Sequence, residues 1–95
     1  MVDQEKFYDD EIAPDLRRIA EYCAKRGMSF AAAVQFADEG LGSTVKLAAA
    51  AHPCLRMTAY AARSKGNADA LIWSIQKDGR EHGHNSVCLQ ILERH

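Results

Sequence analysis

Met28–Phe36 alternates strictly: Phe30, Ala32, Val34 and Phe36 point to one side, and Ser29, Ala31, Ala33 and Gln35 to the other. A period of two residues is the mark of a half-buried strand, because successive Cβ atoms leave opposite faces. Near the C-terminus Val87, Leu89 and Ile91 repeat the pattern, with Cys88 and Gln90 between them. Nearly everything else reads as helix. The two segments therefore predict an α+β, two-layer domain in the order α-β-α-α-β, a two-stranded sheet of Met28–Phe36 and Ser86–Leu92 covered by helices. The long helical connection permits parallel or antiparallel pairing. Two strands alone make a marginal sheet, so a homodimer that joins two such sheets is expected.

The helical segments carry their own punctuation. Tyr8, Ile12, Leu16, Ile19 and Cys23 form one apolar stripe, predicting a helix over 4–26. Pro14 lies inside it and presses on the carbonyl of Asp10, which predicts a kink. Gly27 is the expected terminator. After the loop 38–43, Ser43 or Thr44 is read as the cap of a helix running to Ala51. His52, before Pro53, marks either a kink in that helix or a break with Pro53 as the first residue of a new one. The helix ends at Lys65-Gly66, and Asn67 caps another with Ala68, Leu71, Ile72 and Ile75 on one face. It ends near His82-Gly83, with Asn85-Ser86 as the turn into the second strand.

Ninety-five residues make one domain, 1–95. At 47% hydrophobic and 26% charged, the chain has the composition of a folded soluble protein. No apolar run exceeds the length of Leu47–Ala51, far short of the ~20 residues that cross a bilayer. The start, Met-Val-Asp-Gln-Glu-Lys, has no apolar core of a signal peptide. Cys23, Cys54 and Cys88 are odd in number and widely spaced, which fits reduced thiols in a cytoplasm. Residues 1–40 carry nine acids and five bases, whereas 41–95 carry four acids and seven bases. The acids near the start favour the positive end of a helix dipole; a sharper reading makes them a patch facing a basic partner.

Three clusters merit weighing as sites. Glu81-His82-Gly83-His84-Asn85, with Cys88 behind, holds metal-ligand chemistry. His82, His84 and Cys88 are nonetheless too few for a structural site, and His52 and His95 stand alone. The competing reading is structural: His82 complements the helix dipole on the side of Leu71 and Ile75, and His84 lies exposed beyond Gly83. Second, Arg56, Tyr60 and Arg63 share a helical face, and Trp73 falls close to Lys77 and Arg80. Such basic-aromatic faces stack bases or hold phosphates, anchor protein interfaces, or are buried where helices wrap. Third, Cys54 follows His52-Pro53, and Gly40-Leu41-Gly42-Ser43 precedes an expected helix. Neither amounts to a catalytic or nucleotide motif. No catalytic residue, metal or cofactor is expected.

Phe7-Tyr8-Asp9-Asp10 leading to Ala13-Pro14, Arg26-Gly27-Met28-Ser29-Phe30, Met57–Arg63 and Arg80-Glu81-His82-Gly83-His84 together form a pattern over most of the chain. It resembles a group of small uncharacterised proteins encoded in bacteriophage and prophage genomes. The resemblance implies a bacterial cytoplasm and a phage-accessory role, and it carries no activity and no functional residue. The expectation is a non-enzymatic interaction or regulatory protein, self-associating and able to act on a host protein. The alternative is a nucleic-acid-binding accessory protein using the basic-aromatic face of residues 56–80. No membrane association is expected.

Overall fold

The computed structural model describes residues 1–94. A first helical stretch runs through α1 (Glu5–Phe7), a π-helical turn (Tyr8–Ile12) and α2 (Ala13–Lys25). The π-turn answers Pro14. Ala13 donates its N–H to the carbonyl of Tyr8, one residue further back than in an α-helix, and the chain passes the proline without breaking. Gly27 ends the stretch with φ +73°, as its left-handed freedom suggests.

The sheet is a hairpin. Strand β1 (Phe30–Ala37) pairs antiparallel with β2 (Gly40–Lys46) across the two-residue turn Asp38-Glu39, in register Phe30 to Lys46 and Val34 to Gly42. The α+β class and the two-stranded sheet hold, and β1 falls where the alternation puts it. The partner strand does not. Residues 43–46 are strand where a helix was expected, and Ser86–Leu92 is not a strand at all. The order is α-β-β-α-α-α. Pairing neighbouring segments closes a short loop, whereas pairing the two ends of the chain closes a long one at greater entropic cost.

A bulge sits between Gln35 and Ala37, leaving Phe36 outside the ladder. Its freed carbonyl accepts the N–H of Gln4 at 2.7 Å. Its ring stacks on Tyr8 with centroids 5.2 Å apart. Tyr8 in turn lies directly over Gly42, where any Cβ would collide with the phenol ring. The aromatic covers the strand position that lacks a side chain. Lys46 reaches Glu21 of α2 at 3.2 Å, and Ala48 donates to the Ser29 hydroxyl at 3.0 Å, closing the open end of the hairpin.

After the hairpin come α3 (Pro53–Ser64), α4 (Ala68–His82) and α5 (Val87–Glu93). Each has a side-chain cap: His52 accepts from Cys54, Asn67 from Ala70 and Ser86 from Leu89. Helix α2 packs on both strands, α3 packs mainly on β1, and α4 and α5 extend outward from α3. The result is flat, 46 × 35 × 13 Å. Its radius of gyration is 15.5 Å, against about 12 Å for a compact domain of this length. Only Tyr8, Ala13, Ala20, Ala51, Ala59 and Leu89 are buried among the described hydrophobic residues, and no large side chain is fully enclosed.

The Tyr8 contact makes Gly42→Val a destabilising change, by about 2–3 kcal/mol through overpacking. In urea denaturation the double variant Tyr8→Ala, Gly42→Val should lose less than the sum of the two single losses, since removing the ring removes the collision. Full additivity would show that the ring and the glycine are independent.

Candidate functional site

Asp78 is the organising residue of the helical end. It lies on the α4 stripe Leu71, Ile75, Asp78, His82, and is buried there among groups that satisfy it. Arg56 of α3 donates from Nε to Oδ1 at 2.7 Å and from Nη2 to Oδ2 at 3.3 Å, and gives a further bond to the Ala51 carbonyl at 2.6 Å. The Tyr60 hydroxyl donates to Oδ1 at 2.6 Å. His82, one turn on, brings Nδ1 to 3.3 Å from the same carboxylate and to 3.2 Å from the Asp78 carbonyl. The Arg56 hydrogen bonds, and then that of Tyr60, hold the Asp78 carboxyl below the ordinary carboxylate range against the opposing effect of burial. The bond to this carboxylate, and then burial, pushes the Tyr60 phenol up. Arg56 is raised by the same pairing.

This network separates two surface features. On one side a groove of about 460 Å³ runs between α3, α4 and α5. Met57, Ile72, Ile75, Leu89 and Leu92 line it, with Asp78 and His84 also contributing. On the other side a smaller depression, of about 360 Å³, is lined by Tyr60, Arg63, Trp73, Ser74, Lys77 and Glu81 beside Asp78. Trp73 is 64% exposed, with the Arg80 guanidinium 5.8 Å above its ring.

The six basic and aromatic residues singled out from sequence thus divide. Arg63, Trp73, Lys77 and Arg80 face outward on one strip. Arg56 and Tyr60 do not join them as free anchors, because both are committed to Asp78 inside the protomer. Ile72, expected on a core face, lies half-open along the groove.

The histidine cluster opens out. His84 Nε2 meets Glu93 at 2.9 Å while its Nδ1 accepts the Ser86 N–H at 3.0 Å. His82 is tied instead to Asp78, and Cys88 is exposed on α5. Their burial is the reverse of the sequence expectation. His82 is exposed and His84 is largely covered, because Gly83, at φ +79°, turns the chain back and lays the His84 ring on Gly79. A Cβ at residue 79 would stand 2.7 Å from that ring. Among the described residues no group of three His, Cys, Asp or Glu side chains is placed to hold a metal; His95 lies outside the described residues. His52 caps α3 through the Cys54 backbone N–H, at 3.1 Å. The glycines at 40 and 42 lie in β2, so they do not lead into a helix N-terminus as expected.

No protein-family model, no curated protein and no solved structure matches the chain. Among the described residues no helix is long and apolar enough to cross a membrane.

The Asp78 network fixes a pH dependence. A carboxyl whose pKa is lowered on folding stabilises the fold above its unfolded value, and that contribution is lost as pH falls through the folded value. Asp78→Asn should lower the melting temperature by roughly 5–10 °C at neutral pH, with Arg56 and Tyr60 left poorly partnered. The gap between wild type and variant should close as pH falls below about 4. Thermal melts across pH 2–7 check it; a gap independent of pH would assign the loss to packing alone.

Proposed function

We propose that this chain is an interaction or regulatory module that acts through protein–protein contacts rather than by catalysis. The observation that carries this reading is surface. The chain exposes 6894 Å², whereas a self-contained monomer of its mass exposes about 5,400 Å². Large apolar side chains stand open on it: Phe7, Tyr22, Met28, Met57, Ile72, Trp73, Val87, Ile91 and Leu92. Where they adjoin, as Met57, Ile72 and Leu92 do along the groove, such side chains mark an association site. The Trp73–Arg80 pair beside Arg63 and Lys77 adds residue types enriched at the anchors of such interfaces. A host protein and a second copy of the chain are both partners of this class.

The strip Arg63, Trp73, Lys77 and Arg80 also supports a second reading, the binding of single-stranded nucleic acid by stacking and phosphate contact. That reading is the weaker, because Asp78 neutralises Arg56 and the strip includes Glu81.

Pull-down with the immobilised chain, run in parallel with and without nuclease, separates the two. The protein reading expects a protein partner in stoichiometric amount, a second copy included, that is lost on Ile72→Glu or Trp73→Ala. Retention of DNA or RNA instead, weakening steeply with salt and with Arg63→Ala or Arg80→Ala, would replace it with the nucleic-acid reading.

A further inference from the structure

Helix α5 is apolar over most of its circumference: at about 100° per residue, Gln90 and Glu93 share one side and apolar residues fill the rest. Of its seven residues Val87, Cys88, Leu89, Ile91 and Leu92 are apolar, yet only Leu89 is buried. Val87 is 67% exposed, Ile91 50% and Leu92 42%. The apolar side of an amphipathic helix belongs against other apolar surface, and here most of it is uncovered. This one forms an outer wall of the groove, whose other walls carry Met57 and Ile72, themselves half-open.

Taking up the interaction reading above, we infer that the face formed by α3, α4 and α5 is covered by the same face of a second copy, with α5 of each protomer laid against the groove of the other about a two-fold axis.

Two further observations select a second copy as the occupant. The first is charge. A two-fold interface brings each patch against itself, so a patch with net charge repels its own image. Here the two formal charges that line the groove compensate each other within the protomer: Arg56 pairs with Asp78 at 2.7 Å. The rest of the groove lining is uncharged: apolar side chains, glycines, and Asn85 and Ser86 at one end. The acidic start of the chain and the basic Trp73 strip lack this balance, and neither is suited to meet itself. The second is area. The protomer exposes about 1,500 Å² more than a self-contained chain of its mass. Obligate dimers bury about 1,000–2,500 Å² per partner, so one such interface accounts for the excess.

The geometry also separates the chemistry of the two flanks of α4. Ile72, Ile75 and Gly79 turn toward the groove, while Trp73, Lys77 and Arg80 lie on the opposite flank. Closing the groove therefore leaves the basic-aromatic strip open on both protomers, related by the axis.

Light scattering on the full chain tests the inference. At low micromolar concentration the wild type should read twice the 10.5 kDa of one chain. Ile91→Glu places an unpaired carboxylate in the interface and should weaken association at least about 100-fold. Tyr22→Glu, an exposed position on α2, should leave the dimer intact. Because the dissociated variant may also lose its fold, a second measurement uses folded protein. With Cys23 and Cys54 changed to Ser, a short bismaleimide should join two chains through Cys88; with Cys88 also replaced and Tyr22→Cys introduced, it should not. A dimer that survives Ile91→Glu and is not linked through Cys88 would overturn this surface. A monomer that binds a hydrophobic dye, with the dye signal lost on Ile91→Glu, would overturn the second copy as occupant and leave the interaction reading standing. A monomer that binds no dye would overturn both.

Discussion

The carboxylate of Asp78 is the point on which the helical end of this protein turns. A buried acid is costly unless its partners are arranged for it. Here α3 supplies a guanidinium and a phenol from positions 56 and 60, one turn apart, while α4 supplies His82 from its next turn. Meeting all of these at once fixes how α3 and α4 lie against each other. That arrangement opens the groove on one flank and sets the Trp73 strip on the other. The two features share a wall, and Asp78 lines both.

The hairpin end is built on a different economy. Its small residues, Ala31 to Ala33 and Gly42, let helix and sheet approach closely, and the Tyr8–Phe36 stack supplies most of the bulk. Alanines and glycines bury little area, so this end cannot compensate for an open helical end. Flatness follows from both halves. Apolar side chains are spread over a slab 13 Å thick in place of being gathered into a core, which is why association with another chain is the reading the surface supports best.

Much of this was legible in the residues, and the failures have physical causes. The first helix, its terminator Gly27, strand β1, the start of α3 at Pro53 and the Asn67 cap of α4 each follow from local pattern. Strand β2 was missed because one of its faces contains Gly42 beneath Tyr8 and Lys46 beside Glu21, so no apolar contrast marks the alternation. Its turn, Asp38-Glu39, also lacks the glycine pair that signals a tight hairpin. Helix α5 reads as a strand in sequence because Val87, Leu89 and Ile91 alternate over only five residues, a length at which a mostly apolar helix looks the same. The Ser86 cap was the better guide. The basic-aromatic residues were found as a group, but Asp78 was not, although an acid on the stripe of Leu71 and Ile75 was a readable signal. Seeing it would have removed Arg56 and Tyr60 from the exposed set.

Whether the fold of one chain depends on a second is most directly read from equilibrium unfolding at different protein concentrations. For the proposed dimer, each tenfold rise in concentration should add about 1.4 kcal/mol to the apparent stability, moving the urea midpoint upward each time. A single cooperative transition whose midpoint stays fixed across the series would contradict it, and would mean that the open apolar face is tolerated by a protomer stable on its own.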